Sequence, residues 1–272
     1  MKNILEEINI IRPLVIILLV LMHAFTMYGG SWPKPERIED VELYFWIQRF
    51  SFACMLEMFV FISGYLFAYQ VCELKKKYSF LQLIKVKFKR LIIPCIVFSL
   101  FYSFLFPPRD INILNYIYGL VNGFGHMWFL PMLFWCFVAT YFLLKVRMKE
   151  EIKLIGLLCL SIFPSSLIPL PFRMASTMYY LFYFYLAYYI WNHRKLVVKG
   201  LATKKIIISG SILFLIVFIS FNIVLRDNTL SHTVIISLIN KLGKIIYATI
   251  GVLLFYISIH CCPEKISPLL FN

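Results

Sequence analysis

Apolar residues run along this chain in blocks separated by short polar connections. A helix needs about 17 to 25 mostly apolar residues to cross a bilayer, at ~1.5 Å per residue. Eight blocks meet that length, near residues 10–28, 46–70, 90–106, 127–144, 152–170, 175–192, 205–225 and 244–260. Segments 111–125 and 230–243 are too polar or too short to span, and they are expected to be interfacial or re-entrant. No repeat of fixed period and no linker divides the series, so residues 1–272 are expected to form a single membrane-embedded domain. The pattern predicts an all-α integral membrane protein, a bundle of about eight transmembrane helices.

The connections set the orientation. Lys75, Lys76, Lys77, Lys85, Lys87, Lys89 and Arg90 lie in the second connection, Lys145, Arg147, Lys149 and Lys153 in the fourth, and Arg194, Lys195, Lys199, Lys204 and Lys205 in the sixth. The connections between them hold only Lys34, Arg37, Arg109, Arg173 and Arg226. Cytoplasmic loops carry the excess of Lys and Arg, so both termini are expected in the cytoplasm. The net charge of +14 is then a topology signal, which removes nucleic acid as a partner.

Composition agrees with the pattern. Hydrophobic residues make up 61% of the chain and charged residues 15%, with a mean hydropathy of +0.83, whereas a soluble domain is nearer half apolar and a quarter charged. The first block does not read as a signal peptide: it is too long, lacks a small-residue cleavage site, and contains Arg12 and His23. The seven cysteines show no metal-ligand or disulfide-framework spacing, and most lie within apolar blocks as small hydrophobes. Cys261 and Cys262 read as interfacial residues, with acylation as the other reading. No metal site is expected.

Ionisable residues inside a span are costly, and they mark candidate sites. Arg12 and His23 stand eleven positions apart in the first block. That is about 20° beyond three full turns and roughly 16 Å of rise, so they share a helix face. Pro13 falls in the first turn, where proline costs little. The second block carries Arg49, Glu57 and then Ser63-Gly64-Tyr65. By rise alone Glu57 lies at a depth between Arg12 and His23, and its candidate partners are Arg12, His23 and Arg49. A Glu57–Arg49 pair that only ties helices together is the alternative. Gly64 beside Ser63 permits close helix approach.

Lys87 and Arg90, three residues apart, are expected to project from one side of a helix as it enters the membrane. Such a pair suits phosphate, to which Arg offers a fork of donors and Lys a point charge; simple positive-inside anchoring is the alternative. His126 and Trp128 open the fourth block at its outer end. Trp is an expected interfacial anchor, and His126 reads either as a solvated residue or as a site residue in the layer of His23. His193, His232 and His260 read as structural.

These residues together resemble the acyltransferase-three family of integral-membrane acyltransferases, which modify bacterial surface and exported glycans. The resemblance rests on Arg12-x10-His23, on Glu57-Met58-Phe59-Val60-Phe61-Ile62-Ser63-Gly64-Tyr65, on Lys87-x2-Arg90-x3-Pro94 and on His126-x-Trp128-Phe129-Leu130, and it covers about residues 10–135. The family usually has Arg where Lys87 stands and often Asp where Glu57 stands. Family members generally have about ten spans, and Pro268-Leu269-Leu270-Phe271-Asn272 resembles the lead-in to a further one, so a truncated or minimal form is expected.

The resemblance implies transfer of an acyl group, with acetyl expected, from acyl-coenzyme A as co-substrate to a hydroxyl of a cell-surface or exported saccharide, at the bacterial inner membrane and with no permanently bound cofactor. It implies that Arg12, Lys87 and Arg90 hold the donor's phosphates. His23 acts as general base or carries the acyl group, Glu57 orients or balances charge, and Ser63 donates to the developing oxyanion. His126 and Trp128 line the acceptor side. A transporter or export partner for a glycan or lipid-linked sugar is the competing reading, because intramembrane Arg, Glu and His suit a translocation path equally well.

Overall fold

Eleven α-helices build the described part of the computed structural model, which covers residues 5–30, 32, 35–107, 112–163, 170–226 and 234–261. They are α1 (Glu6–Ala24), α2 (Glu42–Phe52), α3 (Met55–Ala68), α4 (Phe80–Lys87), α5 (Ile93–Leu105), α6 (Ile113–Asn122), α7 (Phe129–Leu143), α8 (Glu150–Ile162), α9 (Met174–Leu201), α10 (Lys204–Arg226) and α11 (Val234–Cys261). Among the described residues every regular element is helical, as expected of a chain whose backbone must satisfy itself in lipid. Lys34, Arg109, His232, Cys262 and the segment 268–272 lie outside the described residues.

Six stretches are long and apolar enough to cross a membrane: Glu7–Ala24, Glu42–Glu73, Phe80–Leu105, Gly125–Leu143, Lys204–Ile223 and Leu238–His260. The protein is therefore a multi-pass membrane protein. Six of the eight expected spans are among them, and two are not. The block 152–170 is helical over Glu150–Ile162, thirteen residues, while 164–169 fall outside the described residues. The block 175–192 is long enough, but Tyr179, Tyr180, Tyr183, Tyr185, Tyr188 and Tyr189 lower its hydropathy. Of segment 230–243, the described residues 234–243 are the first turns of α11. The sixth connection is mostly helix, because α9 runs on to Leu201 through a kink at His193 (φ −108°, ψ 15°).

The chain divides into two compact units, Met1–Ser63 with His193–Asn272, and Gly64–Asn192. In the first unit α1 buries Ile8, Ile11, Val15 and Met22, the three- and four-residue spacing of one helix face. Leu14, Ile16, Ile17 and Val20 stay exposed, as lipid-facing side chains do. On α10 the same division sets buried Phe214 and Phe218 against exposed Ile212, Leu215, Ile216 and Ile219. Phe218 meets Trp46, Phe50 and Tyr247 with ring centroids 5.7 to 6.2 Å apart.

The second unit is organised on α9, whose residues Tyr179 to Ala187 are all buried. Lipid is as apolar as leucine, so close fit rather than water exclusion holds membrane helices together. Gly64 supplies that fit: a Cβ there would stand 2.2 Å from the Phe184 carbonyl oxygen. Beside it Phe184 packs on Phe137 at 4.8 Å and on Phe67 at 6.0 Å, and Tyr65 packs edge-on against Trp191 at 4.8 Å.

Candidate active site

Arg12 and His23 both lie on α1, which runs unbroken through Pro13. Arg12 is exposed at the edge of the buried stripe. His23 is half-buried in the last turn, where its carbonyl and that of Leu21 accept the Phe25 amide. The chain leaves the helix in a tight 3₁₀ turn, Thr26–Gly29. That turn is fixed by the buried Thr26 hydroxyl donating to the Met22 carbonyl at 2.8 Å and by Tyr44 packing on Phe25 and Tyr28.

The second span is not one helix. It breaks between α2 and α3 at Ala53–Cys54, and Glu57 follows in the first turn of α3, where the exposed N–H ends of the helix favour a negative side chain. Glu57 is completely buried, and its Oε1 lies 3.4 Å from Lys244 Nζ of α11. Lys244 also covers the Phe52 ring at 4.6 Å, and Arg49 covers Phe45 at 5.3 Å. Tyr247, three residues beyond Lys244, is within electrostatic range of Glu57, Arg49 and Cys54. Gly251 brings α11 against Cys54, where a Cβ would meet the thiol at 3.0 Å.

Lys244, a cation not among the three candidates named from the sequence, thus lies against Glu57. Separating segment 230–243 from the last span leaves Lys244 as a boundary residue. In the structure it stands about three turns inside α11. The signal was present in the chain as a lysine followed by a long uncharged, mostly apolar run.

Ser63 departs from expectation as well. Its hydroxyl donates to the Phe59 carbonyl one turn back at 2.9 Å, a common resting place for a helical serine. In this rotamer its proton is engaged within its own helix.

In the second unit Lys87 and Arg90 lie within electrostatic range of each other but differ in exposure. Ser79 starts α4 with a capping box, its hydroxyl accepting the Gln82 amide while Gln82 Oε1 accepts the Ser79 amide. The helix then widens into a π-helical turn over Phe88–Ile92. Pro94 explains the widening, since its ring has no N–H for the Arg90 carbonyl and would collide with it in a regular helix. The turn buries Lys87, whose ammonium lies 3.5 Å from the Phe137 centroid and 5.8 Å from that of Phe67. Arg90 is left exposed.

His126 is exposed in the 3₁₀ turn Gly125–Trp128 that opens the fourth span, and Trp128 is half-buried with its ring 6.0 Å from Tyr180. His260 pairs with Glu7, Nε2 to Oε2 at 3.8 Å, while its Nδ1 contacts the Tyr256 carbonyl. Among the described residues no three His, Cys, Asp or Glu side chains converge as a metal site.

An all-helical, multi-pass protein that keeps a carboxylate–ammonium pair inside its spans, with an imidazole on the neighbouring helix, is an integral-membrane protein built for polar chemistry within the bilayer. The chain belongs to the acyltransferase-three family: the model of that family, described as an acyltransferase domain, matches residues 5–271. Acyl transfer is the activity that membership supports. No curated protein and no solved structure matches the chain.

Proposed function

We propose that this protein transfers an acyl group, acetyl in the first instance, from acyl-coenzyme A to a hydroxyl of a cell-surface or exported saccharide at a bacterial inner membrane. The observation that carries the reading is Glu57, a carboxylate with no exposure, held 3.4 Å from Lys244 in a chain that matches an acyltransferase family from residue 5 to residue 271. A buried ion pair gains a protein little stability over apolar packing, so its presence within the spans speaks for function.

His23 is the general base. Its imidazole accepts the proton of the acceptor hydroxyl as that oxygen attacks the thioester carbonyl. The tetrahedral intermediate collapses with cleavage of the carbon–sulfur bond, and the imidazolium returns the proton to the departing thiolate. Glu57, fixed by Lys244, supplies negative charge that favours the imidazolium. Exposed Arg90 and Arg12 recognise donor phosphates, while Lys87, held over Phe137, supports the turn that presents Arg90. His126 and Trp128 serve the acceptor. Both termini are cytoplasmic. The charge bias that sets this orientation is unaffected when blocks 152–170 and 175–192 are left out together, because removing a pair of crossings preserves the alternation.

The test is transfer of labelled acetyl from acetyl-coenzyme A to membrane glycan. His23→Ala is expected to abolish transfer at normal expression, and transfer retained by a well-expressed variant removes His23 from the chemistry. Wild-type protein that moves glycan without consuming acetyl-coenzyme A establishes the export reading instead.

A further inference from the structure

A cavity of about 440 Å³ opens in the second unit between the C-terminal end of α6, the turn after it and the start of α9. That volume falls within the range of roughly 300–1,000 Å³ typical of small-molecule sites. Its lining includes Tyr118, Asn122, Gly123, Phe124, Arg173 and Ser176. None of these residues has a part in the acyl-transfer chemistry above.

The walls carry unusual backbone. Gly123 and Gly125 have φ of +82° and +55°. A Cβ on Gly123 would stand 2.4 Å from the Met127 carbonyl carbon, and one on Gly125 would stand 2.6 Å from the Tyr102 ring. Between them the Phe124 amide donates to buried Ser99 Oγ at 3.1 Å. The turn therefore offers bare backbone to the cavity. Across from it Phe172 and Arg173 both have left-handed backbone, φ +53° and +61°, a conformation unfavourable for an L-residue. Such strain persists where the surroundings over-determine it, and it clusters at ligand clamps.

Two polar groups face this space with defined needs. Arg173 Nε donates to the Asn122 carbonyl at 3.1 Å, which anchors the guanidinium. Among the described residues no carboxylate pairs with it. Asn122 is 9% exposed, and its Oδ1 is buried without a hydrogen-bond partner among the described residues. A buried acceptor of that kind calls for a donor. An anchored guanidinium calls for a carboxylate or phosphate. Ser176 adds a hydroxyl, and Tyr118 and Phe124 add ring faces.

One ligand class answers all of these together, a ring that bears hydroxyl donors and one anionic group. We infer that this cavity binds an acidic sugar, with the sugar's carboxylate on Arg173 and a ring hydroxyl on Asn122 Oδ1. A headgroup that is phosphate alone would satisfy Arg173 but leave Asn122 without a donor, whereas an acidic sugar supplies both groups. The inference adds a saccharide site in the second unit beside the proposed transfer to a saccharide and in that sense rests on it, whereas the binding itself needs no acyl donor.

The experiment is titration of purified full-length protein in detergent, without acetyl-coenzyme A, using a glucuronate-containing oligosaccharide and its neutral glucose counterpart. The acidic sugar is expected to bind about tenfold tighter, the ratio that one charge-assisted contact of about 1.4 kcal/mol produces. Arg173→Gln should abolish that preference. Asn122→Leu should weaken both sugars while keeping their ratio. Equal affinity of the two sugars for the wild type overturns the inference without recourse to any variant, as does binding confined to vesicles of anionic phospholipid. Preferential binding of the acidic sugar with no acetyl transfer in the presence of donor leaves the cavity assigned and removes the acyltransferase reading. Transfer to neutral glycan with no acidic preference does the reverse.

Discussion

Replacing Lys244 by Met keeps the stem's bulk over Phe52 and removes the ammonium from Glu57. At 3.4 Å two unit charges attract by about 5 kcal/mol at an effective dielectric of ~20. Lys244 is 26% exposed and Glu57 is not exposed at all, so the ammonium regains some hydration while the carboxylate regains none. Breaking a buried pair from one side costs about 3–5 kcal/mol, and the partial exposure of Lys244 places this case near 3. The diagnostic is a double-mutant cycle with Glu57→Gln, followed by tryptophan fluorescence as SDS unfolds the protein from mixed micelles. Lys244→Met should cost about 3 kcal/mol in the wild-type background and about 1 or less beside Glu57→Gln, where no buried charge is stranded. The same loss in both backgrounds would show that Lys244 acts through packing, and the electrostatic reading of Glu57 would fall with it.

Two further outcomes follow from the packing. Gly64→Ala should cost about 3 kcal/mol or more and yield little monodisperse protein on size-exclusion chromatography, because the new Cβ meets the Phe184 backbone and no flexible side chain. Gly156→Ala, where a Cβ meets nothing within 4 Å, is the control and should be neutral or slightly stabilising. Arg90→Gln should weaken acetyl-coenzyme A binding in detergent by about tenfold, whereas Lys87→Met should leave it nearly unchanged and lower stability by about 1–2 kcal/mol through loss of the contact over Phe137. Equal weakening by the two variants returns Lys87 to the donor site.

Much of the fold is legible in hydropathy, because a lipid-spanning helix cannot avoid a long apolar run. Six blocks were readable on that ground. Less legible was what happens within a run. Leu, Ile and Phe read alike whether a helix continues or breaks, so the interruption at Ala53–Cys54 left no trace in the pattern. The π-helical turn at Phe88–Ile92 had a visible cause in Pro94, yet its consequence, a buried Lys87 beside an exposed Arg90, depends on backbone register. Tyrosine misleads in another way. On α9 it lowers hydropathy, but Tyr183 and Tyr185 are fully buried. Arg173 and Lys244 were hidden by their positions at block edges, where a cation is ordinarily taken for an anchor.

Four of the backbone irregularities carry candidate residues. Glu57 follows the break between α2 and α3, Arg90 lies within the π-helical turn, His126 lies within the 3₁₀ turn that opens the fourth span, and Arg173 occupies the left-handed step before α9. In a bilayer each departure from regular helix frees backbone polar groups, and these persist only where protein or a polar cavity receives them. A span that served only to cross would gain nothing from such a departure. Four departures, each carrying an ionisable side chain, therefore say more than any one of those side chains does alone. Substituting the charge while keeping the irregular backbone, as with Arg173→Gln or Glu57→Gln, separates the two. If the breaks exist to present these groups, the variants should fold to the same helices and lose binding or coupling.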